Sequence, residues 1–411
     1  MTEINNKFDS KPFALEGKNI VLCVCGSISA YKSADLASKL IQEGANVNVI
    51  LSNSAQKFVG KATFEAITHN KAILGLWDNN TNMNIDHVAL AHKADIIIIS
   101  PATANTIGKL AMGISDTPIT NTVLATTAPV IIAPAMDGDM FDSFQTQNNI
   151  KILREKKFEI IGPENGRLAS GLIGKGRLSE SKKILGITRK ILGKNGDFLG
   201  EKIVITAGGT RQPIDPVRYI TNKSSGKMGH YIAEAAIDRG AKVVLITTSN
   251  FATPVGVELI KVDTAESMEK AVISATRDAN ILIMAAAISD FTPEKISNSK
   301  IKKNHDTQIN IRLKSVNDFS NKIKNNITKI FFAAESENLE ENAEIKLKSK
   351  NADFIVANNI VEKNSGFSYD TNKVTIIDKN GDKIKLPLMH KLRLANKILD
   401  KIKITKKDGE K

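Results

Sequence analysis

The sequence predicts an α/β protein built from two doubly wound, Rossmann-like domains, and three observations predict it. Short apolar runs of strand length alternate with segments of helical period along almost the whole chain. That rhythm halts at a basic, glycine-containing stretch, "SKKILGITRKILGKNGDFLG", and then begins again. At 411 residues the chain also exceeds what one core usually serves, so two domains of about 200 residues each are expected.

In chain order, the first rhythm is "NIVLCVC", "NVNVILS", "DIIIIS" and "PVIIAPA", each a strand candidate followed by a loop or helix. A helix is expected from about Ala30. The boundary is placed near residue 198, giving domains 1–198 and 199–411. The second rhythm is "GEKIVITAGGT", "KVVLITT", "NILIMAAA", "KIFFAAE" and "DFIVAN". Between its first two strands "MGHYIAEAAIDRG" carries apolar residues at helical spacing and ends on Gly240, a helix stop. Asn380-Gly381, between two alternating runs in "KVTIIDKNGDKIKLPL", signals a hairpin with a type I′ turn. The last residues, "KITKKDGEK", read as a frayed basic tail.

The net charge of +13 favours anionic partners such as nucleotides or phosphorylated metabolites, although a lysine-rich solvated surface gives the same total. Aromatic residues make up only 5%, too few for base-stacking platforms, so no nucleic-acid partner is expected. Cys23 and Cys25 are the only cysteines, which excludes a disulfide or zinc framework; they alternate in one strand and are expected on opposite faces of it. No run approaches the roughly 20 apolar residues of a membrane span, and the N-terminal residues hold no signal-peptide core, so a reducing cytoplasm is the expected compartment.

Chemistry is expected where strands end. The loop "CGSISAYK" has a lone glycine, Gly26, and no acidic residue closes the second strand, so a dinucleotide site is not expected. What converges there is a set of small hydroxyls and amides: Ser27, Ser29, Ser52, Asn53, Ser54, Ser100 and Thr103. They suit one phosphate with a flat mononucleotide beside it. In the second half "NKSSGKMG" is not a Walker A loop, because the first glycine and the hydroxyl after Lys227 are missing, yet it opens a helix where an anion is favourable.

"GSISAYK", "DHVALAHKADIIIISPATANTIGKLAMGISD", "APAMDGDM" and "GRLASGLIGKGR" together resemble the flavin-dependent cysteine decarboxylase family, specifically phosphopantothenoylcysteine decarboxylase. The resemblance covers nearly the whole first domain and implies a flavodoxin-like flavoprotein. It implies FMN against Gly26, Ser27, Ile28 and Ser29, against Ser52 and Ser54, and against Ser100, Pro101, Ala102, Thr103 and Asn105. In such enzymes the flavin takes a hydride from the substrate's cysteine side chain, carbon dioxide leaves, and the hydride is returned. The family's active histidine falls on His87, an orienting or proton-handling group.

Two positions depart from the family. Asp137 stands where the family has an amide for the substrate carboxylate, and a carboxylate there repels the substrate unless protonated or paired. Ser170 stands where the family's flap carries a proton-donating thiol, and an alcohol is a far weaker acid. Both changes weaken the same half-reaction. Three explanations are open at this point: another acid or water supplies the proton, the sequence carries an altered site, or the domain is a flavin-binding scaffold with little turnover.

"TAGGTRQPIDPVRYITNKSSGKMG", "AAAISDFTP", "SKIKK" and "FFAAESENLEENAEIKLKSKNADFIVANN" resemble phosphopantothenate cysteine ligase across about 200 residues. That resemblance implies CTP activating the pantothenate carboxyl as an acyl cytidylate, which the cysteine amine then attacks. It puts Asn222 on the acyl cytidylate and Gly208, Gly209, Ala286, Asp290, Lys300, Phe332, Lys346 and Lys350 on CTP, with Mg2+ at Asp290. Without it, Lys346 and Lys350 read as one solvated helix face. The order decarboxylase then ligase is that of bifunctional coenzyme A biosynthesis proteins, which implies a homo-oligomer of trimer-based decarboxylase domains and dimeric ligase domains.

Overall fold

The computed structural model describes residues 14–75, 86–303, 309–324, 326–362, 364–366 and 369–409. The chain divides into two compact units at Leu192 and Gly193.

In the first unit, β1 (Asn19–Val24), β2 (Asn46–Leu51), β3 (Ile96–Ala102), β4 (Val130–Pro134) and β5 (Glu159–Ile160) form one sheet in the order β2-β1-β3-β4-β5, every pairing parallel. This is the flavodoxin-like order, in which the winding reverses between β1 and β3. β3 is buried at every residue, which is why its sequence is a continuous apolar run rather than an alternating one. Helices cover both faces: α1 (Lys32–Gln42), α2 (Lys61–Thr68), α3 (Asp86–Lys93), α4 (Ala104–Met112), α5 (Pro118–Ala125), the single-turn α6 (Gly138–Asp142), α7 (Phe144–Glu155) and α8 (Ser181–Gly193). A two-stranded hairpin, β6 (Glu164–Arg167) with β7 (Ile173–Arg177), projects between α7 and α8 in the chain.

One expectation is corrected here, and two details are added. Cys23 and Cys25 pack into the same core layer, with Val21, Ile97 and Ile107, because residues two apart on a strand share a face. The helix expected from Ala30 begins at Lys32, after a 3-10 turn over Ile28–Tyr31 that Ser27 caps through the amide of Ser29. The basic stretch after residue 180 is largely helix: Ile184 of α8 is buried in the first unit's core with Leu22, Leu36 and Phe64.

The second unit holds an eight-stranded sheet: β8 (Lys202–Ala207), β11 (Lys242–Thr247), β12 (Glu258–Lys261), β13 (Ile281–Met284), β16 (Thr328–Glu335), β17 (Phe354–Asn359), β18 (Thr371–Asp378) and β19 (Lys383–His390). The order is β12-β11-β8-β13-β16-β17-β18-β19, parallel up to β17 and antiparallel beyond it. Counting only the parallel strands, the order is 3-2-1-4-5-6, and the winding reverses between β8 and β13. Two short ribbons stand off the sheet, β9 (Arg211–Pro213) with β10 (Tyr219–Thr221) and β14 (Phe291–Pro293) with β15 (Leu313–Ser315). The helices are α9 (Lys227–Asp238), α10 (Ala265–Ala275), α11 (Leu339–Ser349) and α12 (Lys391–Gly409).

The β18–β19 hairpin is present, but its turn is not type I′. Asp378 and Asp382 face each other across three loop residues, and of these only Gly381 has positive φ, +88°. A type I′ turn needs positive φ at both central residues, so this is the longer loop that closes on a glycine. α12 continues as helix into the basic tail as far as Gly409, but the residues that enter the core beside α9, Leu392, Leu394, Ala395, Ile398 and Leu399, lie before that tail, and Ile404 within it is exposed.

Candidate active sites

Each unit has a cavity at its winding reversal, where loops leave the carboxyl ends of neighbouring strands. In the first unit a cavity of about 710 Å³ is lined by the loop after β1 (Gly26, Ser27, Ile28, Ser29), by Ser52 and Ser54 after β2, and by Thr103 and Asn105 after β3. Gly26 is required by close approach, since a Cβ there would stand 2.2 Å from Cβ of Ser54. Thr103 caps α4 through the amide of Thr106. The hydroxyls of Ser27 and Ser29 are 3.0 Å apart. Ser100, Pro101 and Ala102 lie within or at the end of β3 rather than on the cavity wall; Ser33 donates to the Ser100 carbonyl at 2.5 Å, and Oγ of Ser100 is buried with no partner among the described residues.

The opposite wall is the hairpin β6–β7 and the loop after β4. The amide of Met136 donates to the Gly176 carbonyl at 3.1 Å, docking the hairpin on that loop. Asp137 is the N-cap of α6 and accepts the Asp139 amide on Oδ1 at 3.2 Å. Its Oδ2 accepts from Oγ of Ser170, at the hairpin tip, at 2.9 Å. The two departures from the family pattern are therefore bonded to each other inside the cavity. His87 is elsewhere: it sits half-buried on α3, which packs on α5, and is not among the lining residues.

In the second unit a cavity of about 510 Å³ collects Asn222, Ala286, Asp290, Phe332, Lys346 and Lys350. Nδ2 of Asn222 donates to the carbonyls of Ala287 at 3.3 Å and Ile288 at 3.2 Å, tying the loop after β10 to the loop after β13. Lys346 and Lys350 are both half-buried in the cavity wall, not on a solvated face; Lys350 pairs with Asp318 at 2.7 Å. Burial first, and Lys350 beside it, hold Lys346 below the ordinary lysine value, against the pull of Glu335. Lys227 pairs with Asp370 at 2.8 Å. Lysines outnumber carboxylates on this wall, which suits a polyanion.

Gly208, Gly209 and Lys300 are not on that wall. Gly208 has φ +87° and would put a Cβ 2.2 Å from Oγ1 of Thr248; a Cβ on Gly209 would meet the Asn222 carbonyl at 2.6 Å. The close approach these glycines permit is thus to the protein's own loops. Gly209 lines a neighbouring hollow of about 400 Å³, which shares Asn222, Ser224 and Ser225 with the larger cavity. Lys300 is exposed next to Ile301, whose amide and carbonyl are held by Asp215 and Arg218.

Sequence reasoning missed Lys391. It is buried in the cavity wall, and its ammonium donates to the carbonyls of Gly366 at 2.8 Å and Tyr369 at 2.6 Å. Burial, with Lys227 nearby, pushes it down to about 8. No group of three or more His, Cys, Asp or Glu able to hold a metal occurs among the described residues; Asp290 is an exposed carboxylate that shares the cavity wall with Asp318.

Two switch-point cavities, one lined by hydroxyls and one by lysines, mark a two-domain α/β protein with a candidate site in each unit. The profile of the flavoprotein family matches residues 9–193, and that of the DNA/pantothenate metabolism flavoprotein C-terminal domain matches residues 198–405. The coenzyme A biosynthesis bifunctional protein CoaBC of Bacillus subtilis (strain 168) is 42% identical over 405 residues, covering 97% of this chain and 100% of that one. Among solved structures, the C-terminal domain of a coenzyme A biosynthesis bifunctional protein CoaBC matches with 37% identity and a TM-score of 0.44, covering 51% of this chain and 98% of its own. The FMN-dependent cysteine decarboxylase SpaF matches with 29% identity and a TM-score of 0.38, covering 42% and 94%. The chain belongs to the CoaBC family of bifunctional coenzyme A biosynthesis proteins, enzymes that combine a flavoprotein decarboxylase with a ligase.

Proposed function

We infer that the second unit joins cysteine to 4′-phosphopantothenate at the expense of CTP, through an acyl cytidylate, and that the first unit decarboxylates the product to 4′-phosphopantetheine on FMN. The observation that carries this reading is the end-to-end match to a bifunctional relative, combined with cavities lined by part of the motif residues of each half.

The first cavity fits a flavin mononucleotide. It lies at the β1/β3 reversal, where flavodoxin-like folds hold FMN, and offers hydroxyls without an acidic ribose clamp. Gly26, Ser27, Ile28 and Ser29, with Ser52, Ser54, Thr103 and Asn105, would hold it. Bound there, FMN would accept a hydride from the substrate and return it. The β6–β7 hairpin forms one wall of this cavity, and there Asp137 with Ser170 would face the reacting end of the substrate. His87, half-buried on α3, is read as a group that completes the site from a neighbouring subunit of a trimer.

In the second cavity Asn222 orients the acyl cytidylate, and Lys346, Lys350 and Lys391 stabilise the charge that builds on phosphate oxygens. Ala286 and Phe332 flank the base, and Lys300 closes on it from outside the wall. Asp290 suits Mg2+, which is held mostly through phosphates and one carboxylate. Paired ligase domains in a homo-oligomer and a cytoplasmic location complete the proposal, and two buried free cysteines agree with a reducing compartment.

The test is one reaction of the purified protein with phosphopantothenate, cysteine, CTP and Mg2+, following CMP and carbon dioxide separately. Equal amounts support both halves. CMP without carbon dioxide supports the second reading, a ligase carrying a flavin-binding scaffold, which Asp137 and Ser170 favour as departures from the family pattern.

A further inference from the structure

We propose that Asp137 and Ser170 act as one proton-delivery unit for the carbon that loses carbon dioxide. This rests on the decarboxylase reading above. A decarboxylation without net oxidation replaces a C–CO2⁻ bond by a C–H bond, so each carbon dioxide that leaves must be replaced by one proton. A serine hydroxyl alone is too weak an acid for that task. Joined to a carboxyl it is not alone, and the 2.9 Å bond between Ser170 Oγ and Asp137 Oδ2 joins them.

Asp137 is the single carboxyl among the described residues lining the cavity. Its other oxygen is fixed by the Asp139 amide, so the carboxyl cannot swing away without uncapping α6. Ser170 is fixed from its own side: the hairpin tip is closed by the Leu168 amide on the Leu172 carbonyl at 2.8 Å and the Gly171 amide on the Leu168 carbonyl at 3.0 Å. Cys25 also lines the cavity, but it is buried at the end of β1 on Thr106, and burial pushes its thiol up, away from proton donation.

The substrate supplies the loading step. Its own carboxylate, entering beside Asp137, brings two like charges together, and a proton held between them relieves the repulsion. When carbon dioxide departs, that proton stays on Asp137 and the electron pair of the broken C–C bond stays on the substrate. The pair then forms the new C–H bond with the proton of Ser170 Oγ, and the oxygen takes the proton of the Asp137 carboxyl along the same contact in the reverse sense. Asp137 is left as a carboxylate, recharged from water with the next substrate.

The test uses the full-length, FMN-loaded protein and phosphopantothenoylcysteine in single turnover, measuring carbon dioxide, phosphopantetheine and the ene-thiol lighter by two hydrogens. Asp137→Asn and Ser170→Ala should each keep carbon dioxide release, lower phosphopantetheine formation about 100-fold and accumulate the ene-thiol. The double variant should match the single ones, because one unit is broken once. Asp137→Asn with Ser170→Cys should recover to within about tenfold, since a thiol is an acid in its own right. In flavin-free protein Ser170→Ala should speed hydrogen exchange at the Leu168 and Gly171 amides about fivefold, the weight of one lost hydrogen bond, whereas the carboxamide of Asp137→Asn still bonds Ser170 and should leave exchange near that of the unsubstituted protein. Normal phosphopantetheine from either single variant, losses that multiply in the double, unchanged exchange in Ser170→Ala, or carbon dioxide release that falls with product in Asp137→Asn would each overturn the proposal. An unsubstituted protein that releases no carbon dioxide would instead remove the decarboxylase reading beneath it.

Discussion

Lys391 ends a lysine side chain inside a cavity wall, with two carbonyls as its company. Its value of about 8 lies below the ordinary lysine value of about 10.4, so the unfolded chain binds more protons than the folded one between those limits. The sign follows: this group adds stability as pH rises from about 8 towards 10, and none below 8. Its effect on a bound polyanion runs the other way, because the ammonium is lost over the same range. Triphosphate affinity is expected to fall as pH passes about 8, and calorimetric titration of Lys391→Met with CTP at pH 7 and pH 9 should show that limb flattened. Gly209→Ala is a second residue-scale test. Its Cβ would stand 2.6 Å from the Asn222 carbonyl, so a loss of about 1–3 kcal/mol in the second unit's unfolding free energy is expected, read by denaturant titration. Neither Lys391 nor the Asp137–Ser170 bond was legible as a contact. In "LMHKLRLANK" Lys391 looks like any helix-surface lysine, and only the fold brings Gly366 and Tyr369 over it. Asp137 and Ser170 stand out in the sequence, but 33 positions separate them.

Elements were legible where period alone decides. The buried strands announce themselves as apolar runs, and α9 as an amphipathic stretch closed by Gly240 at φ +87°. What failed was finer. Asn380-Gly381 marks a hairpin, yet Oδ1 of Asp378 takes the amides of Asn380 and Asp382 and so selects a three-residue loop over a two-residue one. Only Gly381 then needs the left-handed region. Gly381→Ala should cost about 1–2 kcal/mol, while Asn380→Ala should cost less; thermal unfolding of the two variants side by side decides it. The stripe that α12 gives to the core ends at Ile402, just before the basic tail, so the tail's charge carried no sign of it.

For the whole molecule, the duplicated α/β rhythm was enough to predict two sheets with cavities at their reversals, since parallel strands force loops to the same edge. It was not enough to say which motif residues reach a cavity. Ser100, Gly208 and His87 all belong to quoted motifs and none lines the wall its motif marks. Because each unit has its own buried core, ligands should act on them separately. FMN at 100 times its dissociation constant should raise the unfolding free energy of the first unit by about 2.7 kcal/mol, and CTP should do the same for the second. Differential scanning calorimetry with each ligand in turn should show one transition move while the other stays. Movement of both by either ligand would refute separate action.

Asn222 to Ser225 separate a hollow of about 510 Å³ from one of about 400 Å³, and the Asn222 carboxamide is clipped to the loop after β13 by two bonds. That strip is a party wall. A molecule long enough to lie in both chambers has to pass this strip, whereas a molecule confined to one touches it from one side. The NH2 signal of a labelled Asn222 is therefore a doorbell for two rooms, and its shift or its loss tells a tenant of either chamber from an occupant that has broken through.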